Sequence, residues 1–169
     1  NGVFDSHAYI NNYSTGHYYW LVTPAVLMEN NVEVSFDLAL TKYSGTLQPV
    51  DPAQQADDKF VVLITTDNGT TWEILRQWDN EGSEYVYNNI ACSATGEYVA
   101  IDLSNYSGQN VAIAFYAEST VAGGDNNLHI DNVSIDYIPS CPKPSGLAYS
   151  EVTGHTANLT WTPGTEGQT

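Results

Sequence analysis

Apolar and polar residues alternate along most of this chain with a period of two, and no long 3.6-residue pattern marks an amphipathic helix. Val32, Val34, Phe36, Leu38 and Leu40 share one parity while Glu33, Ser35, Asp37 and Ala39 take the other, which predicts a half-buried strand. Lys59–Thr65 is apolar on both parities, the pattern of a central strand covered on each face. Asp67-Asn68-Gly69 then supplies residues that tolerate positive φ, so Thr71–Trp78 is expected to return as a hairpin partner. Glu97–Leu103 and Asn110–Ala117 read as strands on either side of the turn-rich Ser104–Gly108, and Leu128–Ile138 as the last long strand. Short strands joined by polar turns indicate an all-β sandwich or barrel rather than an α/β fold.

The pattern changes at residues 139–144, where Pro139, Pro142 and Pro144 remove backbone donors and stiffen the chain as a linker would. Beyond them Leu147 and Tyr149, then Ala157, Leu159 and Trp161, predict two further alternating strands. Two strands cannot bury a core by themselves. The expected organisation is therefore one domain over residues 1–139, then a proline-rich linker and the opening strands of a truncated second domain over residues 140–169.

Charge narrows the function classes. Lys42, Lys59, Arg76 and Lys143 stand against 20 acidic residues, for a formal charge of −16. Such a surface repels nucleic-acid phosphates and anionic lipid heads, so neither is an expected partner. It either attracts divalent cations or keeps a secreted protein soluble. No stretch reaches the roughly 18 apolar residues of a membrane span. Cys92 and Cys141, the two cysteines, either form one bridge in an oxidising compartment or sit as two small core residues. Twelve tyrosines, four tryptophans and abundant Asn, Ser and Thr suit a protein that is secreted or held at the cell surface.

Four pieces in order carry a family resemblance. They are Tyr19-Trp20-Leu21-Val22-Thr23-Pro24; Val61–Gly69 followed by Thr71-Trp72; Ile101–Gly108 with Val111–Phe115; and Leu128-His129-Ile130-Asp131-Asn132-Val133. Together, over about residues 7–138, they resemble the choice-of-anchor J and cleaved-adhesin domains of secreted Bacteroidetes proteins, the group that includes the gingipain adhesin modules and is related to the MAM domain. Residues 141–163 are similar to the first two strands of a fibronectin type III domain, with Trp161 at its inward tryptophan position. The resemblance implies an antiparallel jelly-roll sandwich, frequent bound calcium, and adhesion or carbohydrate binding. It also implies core positions for Trp20 and Trp72. Members of the family open with a strand carrying a Phe-Glu pair and an acidic loop. Asn1–Tyr18 is short for that, so part of the jelly roll and some metal ligands are expected to be missing.

Asp131 is the first candidate metal ligand. Leu128 and Ile130 share one parity, whereas Val133, Ile135 and Tyr137 share the other, so a bulge is expected near Asp131-Asn132 or Asp131 joins the inward row. Either way a carboxylate lies close to an apolar face, where it needs a partner. Calcium, which accepts oxygens from carboxylates, carbonyls and water, is one such partner; backbone amides at the bulge are the other. Asp125, in Gly123-Gly124-Asp125-Asn126-Asn127, is a second candidate because a glycine-rich loop turns carbonyls toward an ion. Asp51, Asp57 and Asp58 fall in a polar insertion and read as a solvated loop. Trp78, Tyr85 and Tyr87, around the polar stretch Asp79–Tyr87, are candidates for a platform that stacks on sugar rings, with loop packing as the plainer alternative.

No catalytic constellation is visible. His7, His17, His129 and His155 lack metalloprotease spacing, no Gly-x-Ser-x-Gly elbow occurs, and no pair of carboxylates is singled out by spacing. The expected function is a non-enzymatic binding module for a glycan or a surface protein, stabilised by calcium. The alternative is a structural spacer or accessory domain beside a secreted protease or glycoside hydrolase.

Overall fold

The computed structural model describes residues 6–13, 15–43, 47–51, 58–120, 124–138 and 145–162. Eleven strands follow in chain order: β1 (Ala8–Asn12), β2 (His17–Val22), β3 (Val26–Leu27), β4 (Val32–Lys42), β5 (Lys59–Thr65), β6 (Glu73–Asp79), β7 (Glu97–Asp102), β8 (Asn110–Ser119), β9 (Asn126–Tyr137), β10 (Ser145–Ser150) and β11 (Asn158–Thr162). The chain divides into two compact units, Asn1–Asp136 and Tyr137–Thr169.

The first unit is an all-β sandwich of antiparallel sheets. One sheet has the order β1-β9-β4-β7; the other has the order β2-β8-β5-β6, with β3 also paired to β8. Alternation sets the inner faces. Val34, Phe36, Leu38 and Leu40 of β4 point inward, as do Phe60, Val62 and Ile64 of β5 and Ile113 and Phe115 of β8, all within one buried cluster. At its centre the Phe36 ring meets Phe115 edge-on at 5.2 Å and Phe60 at 6.2 Å. Edge-to-face contact places the positive ring edge against the negative face of its neighbour.

The doubly apolar Lys59–Thr65 does occupy an interior position, between β8 and β6. Its outward residues Val61 and Leu63 are buried under Trp72 and Tyr116. The turn after it places Asn68 and Gly69 at φ 57° and 84°, both left-handed, as a tight hairpin requires. Asp67 holds that turn by accepting hydrogen bonds from the Thr65 hydroxyl and from the Thr71 amide and hydroxyl. The Thr71 amide, followed by the Thr71 and Thr65 hydroxyls, lowers its carboxyl pKa to about 2.

The two lateral margins of the sandwich differ. On the β6/β7 side, Arg76 Nη2 donates to the Ala100 carbonyl at 3.1 Å and ties the two sheets together. On the β1/β2 side the sheets part into a cleft of about 480 Å³, lined mainly by apolar groups of Ile10, Tyr19, Leu21, Phe60, Phe115 and Leu128.

In the second unit, β10 and β11 form an antiparallel hairpin with Ala148 opposite Thr160 and Tyr149 opposite Leu159. Its apolar side chains, Trp161 included, are exposed.

Candidate functional site: an aromatic sheet face

Ladder registers assemble the outer face of the β2-β8-β5-β6 sheet row by row. Trp20 lies opposite Tyr116, which lies opposite Val61, which lies opposite Gln77. The row on one side is Val22, Ala114, Leu63 and Ile74; the row on the other is Tyr18, Glu118, Lys59 and Asp79. An aromatic and aliphatic strip is therefore bordered by a polar one.

Trp20 stands at the middle of the strip. Its ring centroid is 4.7 Å from that of Tyr116 and 5.6 Å from that of Trp72, yet the residue is 50% exposed. Tyr18, Val22 and Ile74 beside it are exposed as well. The polar row is internally fixed: Lys59 Nζ lies 2.6 Å from Glu118 Oε1, and the Tyr116 hydroxyl donates to Glu118 Oε2. The hydrogen bond to Glu118 raises the Lys59 pKa against the opposing effect of burial. Burial, followed by Glu118, raises that of the Tyr116 phenol. Both groups thus keep their protons, and Lys59 keeps its charge, across the neutral range. The face presents a held ring, apolar flanks and a row of hydrogen-bonding groups.

This placement corrects the expectation of core positions for Trp20 and Trp72. Both rings lie on the outer face: Trp72 packs on Val61 and Leu63, and Trp20 meets the rings of Trp72 and Tyr116. The sugar platform expected around Trp78, Tyr85 and Tyr87 does not assemble at the surface. Trp78 is 3% exposed and packs on Phe60, and Tyr87 is fully buried. Tyr85 is half-buried between the Trp78 ring and the Arg76 guanidinium. A ring closed off by core neighbours has no free face to offer a sugar.

The implied calcium ligands are engaged elsewhere. Asn132 has φ 52°, so the parity change in β9 is a real backbone irregularity, and Asp131 Oδ1 accepts the Asn132 amide at 2.8 Å. That is the capping arrangement. Asp125 accepts a hydrogen bond from Asn11 Nδ2, which also donates to the Asn126 carbonyl and Asn127 Oδ1. No group of three or more His, Cys, Asp or Glu side chains that could share an ion occurs among the described residues. Asp58, expected in a solvated loop, is instead 1% exposed. Asp57 and Cys141 lie outside the described residues, and the proposed bridge lies there with Cys141. Burial raises the Cys92 thiol pKa, which disfavours the reactive thiolate.

One signal in the sequence pointed to the sheet face: Tyr18, Tyr19 and Trp20 are consecutive aromatics, so both faces of β2 carry rings. Set against known proteins, the chain matches no family model and no curated protein sequence.

Proposed function

We propose that the first unit is a non-catalytic, extracellular binding module whose ligand surface is the outer face of the β2-β8-β5-β6 sheet, and that the ligand is a glycan. The half-exposed Trp20, held against Tyr116 and Trp72, carries this reading. A contiguous exposed apolar patch on a soluble protein marks an interaction surface. A fixed aromatic ring costs little conformational entropy when it binds, and its face complements the C–H face of a pyranose. Tyr18, Gln77 and Asp79 along the same face supply donors and acceptors for sugar hydroxyls. The charge of −16 favours neutral sugars over sulfated or sialylated ones. A secreted or cell-surface setting follows from the same reading.

Screening the full chain on a glycan array, then measuring the best ligand by calorimetry, tests it. Trp20→Ala is expected to weaken binding at least tenfold with an unchanged far-ultraviolet spectrum. Failure of every glycan to bind, or unaltered affinity in the variant, would leave the structural-spacer reading in its place.

A further inference from the structure

The edge strands of the sandwich fall into two kinds. β6 and β7 border the closed margin, and both carry charge: Glu73, Arg76 and Asp79 on β6, Glu97 and Asp102 on β7. β1 and β2 border the cleft, and neither Ala8–Asn12 nor His17–Val22 contains an acid, a lysine, an arginine or a proline. The chain has 20 acidic residues, yet none falls on these two strands. Charged side chains and proline keep a free edge from pairing with another chain. The guarded edges therefore lie at one margin and the unguarded edges at the other.

The backbone of β2 supplies hydrogen-bonding groups along its free side. The Thr23 amide donates to the Ile113 carbonyl at 2.9 Å, one step beyond the Val22–Ala114 pair of the β2/β8 ladder. Alternate residues of an antiparallel strand turn both backbone groups to the same neighbour. Counting back from Thr23, Leu21 and Tyr19 bond to β8, so Val22, Trp20 and Tyr18 direct N–H and C=O to the open side. No strand takes up these groups among the described residues. Beside them the cleft of about 480 Å³ has an apolar floor of Phe60, Phe115 and Leu128. Leu21 lines that cleft opposite Phe115 and is still 48% exposed.

A row of unpaired donors and acceptors along an apolar cleft is complementary to a β-strand. Main-chain bonds hold such a strand, and every second side chain drops into the cleft. We infer that the β2 edge is a docking site for an extended segment of a partner polypeptide, apolar on one parity and basic on the other. The apolar parity matches the cleft. The basic parity follows from the formal charge of −16, which attracts a cationic strand and repels an acidic one. A small apolar molecule fills the cleft but leaves the backbone row unmet, and a second copy of this chain brings its own −16 to the edge. The site is the margin of β2 and does not depend on what the outer sheet face binds.

The test uses the full chain and a capped synthetic peptide of about ten residues, with leucine and valine alternating with lysine and threonine. A second peptide of the same composition has its apolar residues in one block. Calorimetry should show one equivalent of the alternating peptide bound, with a dissociation constant below about 0.1 mM, and at least tenfold weaker binding of the blocked one. Leu21→Lys aims a charge into the cleft and should weaken the alternating peptide at least tenfold. Ile74→Lys makes the same charge change on β6 and should not. Should the Leu21 variant fail to fold, N-methylated peptides give a second readout on the unaltered protein. N-methyl groups on the parity that bonds β2 should abolish binding, whereas those on the other parity point to solvent and should leave it. No binding up to about 1 mM, equal binding of the two peptides, or N-methylated series that behave alike would overturn the inference. So would a dimer that Leu21→Lys dissolves without any peptide, since the edge then belongs to a second copy.

Discussion

His129 Nδ1 on β9 lies 2.9 Å from Nε2 of His7, the residue before β1, so two imidazoles share one hydrogen bond, with Tyr9 stacked on His129. The other ring nitrogen of His129 is 3.0 Å from the Thr41 hydroxyl, and the residue is fully buried. Burial, followed by His7, lowers the His129 pKa from 6.5 to about 4. A folded-state value below the unfolded one means that the unfolded chain binds more protons between these limits. His129 therefore contributes stability above pH 6.5 that is lost as the pH falls toward 4, on the order of 3 kcal/mol. Urea unfolding at pH 7.5, 5.5 and 4 should show that loss, and His129→Gln should flatten it. Parallel curves for both proteins would assign the acid sensitivity to other groups.

The irregularity at Asp131-Asn132 makes a separate prediction. Asn132 occupies the left-handed region at φ 52°, and its side chain donates to Asp37 Oδ2. Asn132→Gly and Asn132→Val both remove that hydrogen bond, so the difference between them isolates the backbone. The valine variant should be less stable than the glycine variant by about 1–2 kcal/mol, because a branched Cβ clashes in this conformation. Equal urea midpoints would mean that the strand can rearrange around position 132.

The parity change in β9 was legible because apolar residues stand on both sides of it. The same holds for β4, whose inward residues Val32, Val34, Phe36 and Leu38 are separated by the polar Glu33, Ser35 and Asp37, and for the Asp67-Asn68-Gly69 turn, where residue type reports local backbone geometry. Alternation does not say which of two apolar parities faces inward. In β2, Tyr19 and Leu21 compete with Trp20, and only the pairing with β8 turns Trp20 outward. Trp78 and Tyr87 misled for a related reason: their polar neighbours in sequence resemble a loop surface, but Phe60 and Asn126, which enclose them, lie far away along the chain.

Phe36 offers a measure of how tightly the two sheets interlock. Its ring contacts Phe60, Trp78 and Phe115, three residues of the opposite sheet, and none of it is exposed. Phe36→Ala removes the ring and leaves a cavity between the layers, at a cost of roughly 3–5 kcal/mol. Phe36→Leu should recover more than half of that loss. Equilibrium urea unfolding gives both values, and a loss under about 1 kcal/mol for the alanine variant would mean that the sheets close over the gap.

Arg76 bears on the closed margin of the sandwich. Its guanidinium carbon is 4.9 Å from the Tyr85 ring centroid and 5.8 Å from that of Trp78, while Nη2 reaches the Ala100 carbonyl on β7. The planar group stacks and donates at once, which the compact ammonium of lysine cannot reproduce. Arg76→Lys keeps the charge and should still cost about 1–2 kcal/mol. Hydrogen exchange should also quicken at backbone amides of β6 and β7 relative to those of β5, because the lost bond joins those two strands. A variant as stable as the parent, with unchanged exchange, would show that core packing alone holds this margin shut.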